Sequence, residues 1–244
     1  MIEAKNLAIG YDGVPLMQHL DFQVSRGDVF VILGGSGCGK STLLRTLIGL
    51  QPPVEGQITI RGKLQDGLEE GPPQFGTMFQ SGALFGSMSL LENVALPLRS
   101  WTDLTEDAVD AIASARLRLV GLGGFDHHAP SEISGGMKKR AGIARALALD
   151  PELLFLDEPS AGLDPISAVE LDELILTLSR DLGVTTVLVT HELESIFKIA
   201  GRCIMLDRDA KTIIAEGDPR TLRDESDDPR VSDFFNRRSQ KEGV

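Results

Sequence analysis

The chain has few cysteines, a deficit of basic residues and no long apolar segment, and these absences exclude several classes of protein. Its 24 lysines and arginines stand against 36 acidic residues, giving a net charge of −12. An acidic chain repels the nucleic-acid backbone, so we expect no broad DNA- or RNA-binding surface. No apolar run approaches the roughly 18–20 residues that cross a bilayer, and the N-terminal residues lack the basic-then-apolar order of a secretory signal. If the protein works at a membrane, we expect a partner to supply the span.

The composition is that of a globular protein, with 42% hydrophobic and 25% charged residues in 244 positions. This length suits one large domain, or one domain with a small subdomain. Short β-like runs alternate with helical patterns along much of the chain, which predicts an α/β fold. No internal repeat or heptad pattern occurs, so we expect neither a tandem duplication nor a long coiled coil.

The predicted strands are short apolar or alternating runs bounded by turn residues. They cover residues 2–9, 20–24, 28–33, 56–61, 75–79, 153–156, 184–190, 203–206 and 212–215. Between them, a helical insertion of about 50 residues is predicted from Ser81 to about Pro130, with one of its helices capped by Thr105, within a helical subdomain at about 81–150. Asp164 before Pro165 predicts a helix that ends at Gly183, and Asp218 before Pro219 predicts a last short helix. Residues 225–229 then predict a polar hinge before a short tail.

A glycine-rich loop follows the predicted strand 28–33 and leads into a helical pattern. Its residues are Gly34, Gly35, Ser36, Gly37, Cys38, Gly39, Lys40, Ser41 and Thr42, and the first eight fit G-x-x-x-x-G-K-[ST]. In this context the glycine amides and the helix dipole would close around the β- and γ-phosphates of a nucleotide. Lys40 would reach the β/γ oxygens, and the Ser41 hydroxyl would hold Mg²⁺. The sequence therefore predicts nucleoside triphosphate binding; the alternative is a glycine turn that happens to carry a lysine.

The two cysteines are Cys38, inside this loop, and Cys203. A disulfide at Cys38 would block the loop, so we expect reduced thiols and a cytoplasmic setting. Cys38 is either a small loop-filling residue or a reactive thiol, since helix N-termini lower thiol pKa values. The first interpretation is favoured.

Two carboxylates and a histidine end the predicted strands 153–156 and 184–190. Asp157 would hold Mg²⁺, and Glu158 would polarise the attacking water as general base. His191 would hydrogen-bond the γ-phosphate and the water. The alternative for Asp157 and Glu158 is that they are ordinary acidic residues of a turn. The alternative for His191 is a structural role.

A second anion-binding helix start is predicted at Ser134, Gly135 and Gly136, where a hydroxyl and close-approach glycines open a helix. A single nucleotide would not normally use both helix starts of one subunit. We therefore expect a head-to-tail homodimer in which each nucleotide lies between one chain's Lys40 loop and the other's Ser134 helix. The charges 138–140 on this helix are interpreted as solvated rather than lipid-facing.

Taken in order, these motifs resemble the ATP-binding cassette family over nearly the whole chain. The resemblance implies a P-loop NTPase core with an antiparallel β-subdomain and an inserted helical subdomain, an ATPase domain at 1–226 and a tail at 227–244. It also implies that Tyr11 stacks on adenine and that Gln80 contacts Mg²⁺ and water and relays to a membrane subunit. One departure is Met137, where the family signature usually ends in glutamine, so a polar contact is lost there.

Five sequence segments resemble one branch of the family, the ATPases of Mce-associated phospholipid transporters. These segments are residues 78–85, 91–99, 134–140, 164–166 and 228–235. This resemblance implies membrane permease subunits, a lipid-binding Mce-type subunit and a peripheral location on the cytoplasmic face of an inner membrane. It also implies a tail that contacts a neighbouring subunit, although Phe234 and Phe235 could equally pack on their own domain.

Three alternatives remain open at this point. An importer of amino acids or other small solutes would use the same ATPase. A P-loop phosphotransferase would need neither the second helix start nor a dimer. A soluble, non-transport cassette usually carries coiled coils or tandem cassettes, neither of which occurs in this sequence.

Overall fold

The computed structural model describes residues 1–65, 67, 71–80 and 82–237. The chain divides into two compact units, Met1–Leu68 with Val187–Val244, and Glu69–Thr186. Ser81, where the helical insertion was predicted to begin, and residues 238–244 of the predicted tail lie outside the described residues.

Strands and helices are interspersed along the chain, as the α/β prediction requires. The strands are β1 (Ile2–Tyr11), β2 (Val14–Val24), β3 (Val29–Gly34), β4 (Glu55–Ile60), β5 (Lys63–Leu64), β6 (Gly76–Met78), β7 (Leu153–Asp157), β8 (Thr185–Val189), β9 (Arg202–Asp207) and β10 (Thr212–Gly217). The helices are α1 (Lys40–Leu47), α2 (Leu90–Trp101), α3 (Glu106–Leu119), α4 (Gly135–Ala146), α5 (Pro165–Leu182), α6 (Leu193–Ile199), α7 (Pro219–Glu225) and α8 (Pro229–Phe235). A 3-10 turn, Pro130–Glu132, precedes α4. Among the described residues, no helix has the length and apolar character that a membrane span requires.

The first unit contains an antiparallel sheet in the order β2-β1-β4-β5 and strands in the order β10-β9-β3-β8, of which residues 187–189 of β8 belong here. β3 runs parallel to β9, from Phe30 opposite Arg202 to Gly34 opposite Leu206. Every residue of β3 is buried, the pattern of a parallel strand covered on both faces. This buried strand ends where the glycine-rich loop begins.

The second unit contains the parallel pair β6 and β7, with Gly76 opposite Leu154 and Met78 opposite Leu156. Its helices begin at side-chain caps: Ser89 forms a capping box with Glu92 at α2, and Thr105 accepts a hydrogen bond from the Ala108 amide at α3. Asp164 accepts from the amides of Ile166 and Ser167 at α5. The predicted caps at positions 105 and 164 are therefore present in the structure.

Two local predictions are wrong. The strand predicted at 20–24 begins at Val14, because Asp12 and Gly13, with φ of 51° and 76°, form a tight turn that pairs Tyr11 with Val14. Two consecutive positive φ values favour a hairpin of this type.

The helix at 219–225 is not the last one. α8 follows it, capped by Asp228, whose carboxylate accepts from the Arg230 amide. Phe235 is 4% exposed and its ring centroid lies 5.6 Å from that of Phe197 in α6. Of the two interpretations of the aromatic pair, self-packing therefore holds for Phe235. The domain limits at 1–226, 81–150 and 227–244 stay predictions.

Candidate nucleotide-binding site

The predicted phosphate loop connects β3 to α1 in the first unit. Gly37 and Gly39 adopt left-handed φ values of 74° and 95°, which glycine tolerates at little cost. Gly39 is the N-cap of α1 and makes no side-chain capping hydrogen bond. The first amides of α1 are thus not satisfied by a capping side chain, which leaves them suited to an anion.

Gly34 shows why the loop starts with glycine. Its φ is 142°, and a Cβ added there would lie 2.5 Å from both Cys38 Sγ and the Leu206 carbonyl oxygen. At Gly35 an added Cβ would have no atom within 4 Å. The two neighbouring glycines therefore differ, because only the first is required by close packing within the protein.

Lys40 lies at the first position of α1 and points back into its own loop. Its Nζ donates to the carbonyl oxygens of Gly34 at 2.8 Å and Gly35 at 2.9 Å. The ammonium is thus held beside the loop amides by hydrogen bonds to two neutral carbonyl oxygens. Phosphate oxygens, which form stronger charge-assisted hydrogen bonds with an ammonium, would displace them.

Cys38 behaves as a loop-filling residue. Its side chain is 1% exposed, and burial raises the pKa of the thiol although Lys40 acts in the opposite direction. Burial likewise raises the pKa of Cys203, to about 12. A buried thiol with a raised pKa is a poor nucleophile, so the interpretation of Cys38 as a reactive thiol is not supported.

Tyr11 lies at the end of β1 and is hydrogen-bonded to the start of α1. Its side chain is 53% exposed, and its hydroxyl lies 3.0 Å from the Thr42 hydroxyl. The ring therefore has an open face and a fixed phenolic end in the same unit as the phosphate loop. Stacking on adenine stays a prediction.

His191 follows β8, the strand next to β3 in the order of the first unit. Its side chain is 57% exposed, and Nε2 lies 3.7 Å from a carboxylate oxygen of Glu192. The preceding Thr190 is buried, and its hydroxyl accepts a hydrogen bond from the Glu192 amide. The backbone is therefore fixed on either side of an accessible imidazole.

In the second unit, Ser134 forms the N-cap of α4, and its hydroxyl accepts from the Met137 amide at 3.2 Å. Ser134 and Gly135 are exposed, whereas Gly136 is buried. A Cβ at Gly136 would meet the Ser167 side chain at 3.1 Å. Gly136 is thus used for the packing of α4 on α5, and the accessible part of the predicted anion site is Ser134 with Gly135.

Asp157 ends β7, and Glu158 follows it with a φ of 47°, in the left-handed region. A non-glycine residue in this conformation is uncommon and often marks a functional position. Gln80, which follows β6, is exposed. The carbonyl oxygens of Gln80 and Glu158 both accept hydrogen bonds from the Lys139 ammonium, at 3.1 Å in the case of Glu158.

Lys139 contacts two of the predicted site residues, and its burial was missed by the sequence prediction. It was interpreted as a solvated helix charge, but it is 6% exposed. The signal was present in the helical period, because Lys139 lies three residues after buried Gly136 and three before buried Gly142 on one face of α4. The structure thus brings Gln80 and Glu158 to one side chain in the second unit, and Tyr11 to the phosphate-loop helix in the first.

The chain is similar to known ATP-binding proteins. Residues 17–161 match the family model described as ABC transporter. A protein of Mycobacterium leprae named "Probable ribonucleotide transport ATP-binding protein mkl" is 41% identical over 97% of this chain and 69% of its own length. The intermembrane phospholipid transport system ATP-binding protein MlaF of Haemophilus influenzae is 40% identical, over 96% of this chain and 90% of its own length.

A solved structure of a dimeric ATP-binding cassette, in a post-hydrolysis state bound to ADP and phosphate, is 27% identical. It covers 89% of this chain and 98% of its own, with a TM-score of 0.78. The predicted fold and the family resemblance are both confirmed by these matches. The chain belongs to the ABC transporter family and is an ATPase domain of that family.

Proposed function

We propose that the chain is the ATP-hydrolysing subunit of a transporter that moves phospholipid between two membranes. The observation that carries this proposal is the similarity to MlaF, which extends over 96% of this chain and 90% of that protein. A relation over nearly the full length of both proteins supports a shared function more strongly than a match confined to the nucleotide site would. The chain would work as a homodimer, peripheral to the membrane, with permease subunits and an Mce-type lipid-binding subunit.

The phosphate loop supports the ATPase part of this proposal. Lys40 neutralises charge on the β- and γ-phosphates, and the first amides of α1 bind phosphate oxygens. The partner subunit's Ser134 and Gly135 complete the contact to the γ-phosphate. Ser134 and Gly135 are exposed at the start of α4, as such a contact requires.

The remaining residues act on the attacking water. Glu158 accepts a proton from the water as it attacks the γ-phosphate in line, and His191 and Gln80 orient it. The exposed imidazole of His191 has the access that this role needs. The left-handed backbone conformation at Glu158 sets the direction in which its side chain leaves the backbone.

The residues assigned to Mg²⁺ fit that ion in their chemistry. Ser41, Gln80 and Asp157 supply a hydroxyl, an amide and a carboxylate oxygen. Mg²⁺ prefers oxygen ligands and is usually bound through one or two protein groups together with substrate phosphates. Among the described residues no cluster of three His, Cys, Asp or Glu side chains could hold a metal alone, which fits an ion that arrives with the nucleotide. When bound, it would neutralise phosphate charge.

A second candidate cargo comes from the name of the Mycobacterium leprae relative, which refers to ribonucleotide transport. This chain covers 69% of that protein and 90% of MlaF. The phospholipid proposal is favoured because this chain covers a larger share of MlaF than of the Mycobacterium leprae protein.

Co-purification tests the proposal. The tagged chain is isolated from detergent-solubilised membranes and its partners are identified by mass spectrometry. We expect a multispan permease together with a lipid-binding subunit. A permease with a solute-binding protein would instead assign the chain to nutrient import, and the absence of any membrane partner would contradict a transport role.

A further inference from the structure

Lys139 holds together the two segments of the second unit that carry Gln80 and Glu158. Its Nζ donates to the carbonyl oxygens of both residues, one following β6 and the other following β7. The two acceptors are 59 and 19 residues away in sequence. A single ammonium therefore fixes the backbone at two positions that the proposed hydrolysis uses.

Because this ammonium is buried, it requires acceptors within the protein, and an uncharged side chain could not replace it. At 6% exposure, Lys139 has left bulk water, and an ammonium in such a place must be compensated by acceptors and negative charge. Two carbonyl oxygens accept from it. Burial lowers the pKa of the Lys139 ammonium, and the nearby charges of Asp157 and Glu158 act in the opposite direction. An uncharged side chain of similar length would fill the space but bind neither carbonyl.

α4 also holds the segment that follows Gln80. Arg145, two turns further along the helix, donates to the carbonyl oxygens of Ala83 at 2.8 Å and Gly82 at 3.1 Å. An added Cβ at Gly142 would meet the Gly82 carbonyl oxygen at 3.1 Å. The segment is thus bound to α4 on both sides of residue 81, so it follows any displacement of that helix.

The same helix carries the exposed Ser134 and Gly135 at its start. Lys139 lies five positions after the N-cap, which is about 7.5 Å along a helix axis, and a regular helix of this length moves as a rigid element. We propose that Lys139 is a positioning residue that transmits nucleotide binding at Ser134 to Gln80 and Glu158 of the same chain. This inference rests on the proposed homodimer, in which Ser134 contacts the nucleotide held by the partner subunit.

The consequence is a coupling between the two nucleotide sites of the dimer. ATP held by one subunit fixes α4 of the other, and Lys139 then places Glu158 and Gln80 for hydrolysis in that second subunit. Removing the ammonium leaves ATP binding at the Lys40 loop and removes the alignment of Glu158. The two sites should then hydrolyse ATP independently and slowly.

Steady-state ATP hydrolysis by K139M, in the full chain with its co-purifying membrane subunits, tests this coupling. We expect kcat to fall by about 10- to 100-fold, the effect of a misplacement of roughly 1 Å at a reacting group. KM for ATP should stay within about twofold, because the phosphate loop is unaltered. The Hill coefficient for ATP should fall from above 1 to about 1.

Two further variants separate positioning from simple core filling. K138M, one position earlier on α4, removes a charge that is not buried and should leave kcat and the Hill coefficient unchanged. K139R keeps a buried cation with several donors and should regain a large part of the cooperativity lost in K139M. If K139M does not fold, as judged by a melting curve, K139Q, which keeps an amide donor without the charge, replaces it in the same two readouts.

The outcomes are distinct. Unchanged kcat and Hill coefficient in a folded K139M would overturn the inference. Loss of thermal stability and of ATP affinity together, with no recovery in K139R, would show a structural role only and would also overturn it. A wild-type Hill coefficient of 1, with no ATP-dependent dimer in E158Q, would instead remove the homodimer on which the proposed function depends.

Discussion

Lys40 and Lys139 each donate from Nζ to two backbone carbonyl oxygens, one lysine in each compact unit. The acceptors of Lys40 are Gly34 and Gly35 in its own loop, whereas those of Lys139 lie 59 and 19 residues away. Lys40 is only partly buried, and Lys139 is 6% exposed. We propose that the first ammonium exchanges its acceptors for phosphate oxygens, while the second keeps its protein acceptors. In this proposal the same chemistry serves ATP binding at Lys40 and positioning at Lys139.

The largest expected effect on ATP binding separates the two roles. K40M should weaken ATP binding by about 100-fold, because it removes a charge-assisted contact worth about 3 kcal/mol. Isothermal titration with ATP measures this directly, with K138M as the matched lysine-to-methionine control. Equal ATP affinities for K40M and the wild type would remove Lys40 from the phosphate site.

E158Q tests the residue whose backbone Lys139 holds. The amide cannot take a proton from water, so kcat should fall by about 100- to 10,000-fold while the dissociation constant for ATP stays unchanged. Gel filtration with Mg·ATP should then show a stable dimer. Turnover at the wild-type rate would contradict the assignment of Glu158 as general base.

G34A and G35A test how far local packing determines the conformation of the phosphate loop that precedes Lys40. G34A places a Cβ 2.5 Å from Cys38 Sγ and from the Leu206 carbonyl oxygen at a φ of 142°, so it should lower the free energy of unfolding by about 1–3 kcal/mol. G35A meets no atom within 4 Å and should melt within about 1 °C of the wild type, a shift well below that of a 1 kcal/mol change. Chemical denaturation of both variants provides the comparison, and equal destabilisation would show that the loop is not packed as described.

R145M has the smallest expected effect on hydrolysis. It releases the carbonyl oxygens of Gly82 and Ala83 but leaves the hydrogen bonds of Lys139 in place. Its kcat should therefore fall by about two- to fivefold, less than the 10- to 100-fold loss expected for K139M. A loss in R145M equal to that in K139M would assign the effect to the segment after Gln80 as a whole, and not to the contact with Glu158.

The two lysines also show what could be predicted from the sequence. The environment of Lys40 follows from a contiguous motif, in which the strand, glycines and helix are neighbours along the chain. The caps at Thr105 and Asp164 are local in the same sense, and the sequence predicted both. Lys139 depends on carbonyl groups from two distant segments, which no local pattern reports. Only its helical spacing from Gly136 indicated burial, and its charge argued for the surface.

The tail shows a similar limit. Asp228 before Pro229 is the same cap signal as Asp218 before Pro219, yet the acidic residues around it favoured a hinge over a helix. The burial of Phe235 against Phe197 stabilises α8, and Arg230 adds an ion pair with Asp207. These contacts are tertiary, so composition alone could not weigh them.

The central claim is that ATP hydrolysis by this chain moves phospholipid. The most direct measurement is the transfer of a fluorescent phospholipid between donor and acceptor vesicles by the complex purified through this chain. We predict transfer that requires Mg·ATP and is lost in E158Q, although that variant still binds ATP. A complex that hydrolyses ATP at the same rate with and without lipid acceptors, and transfers no phospholipid, would contradict the claim.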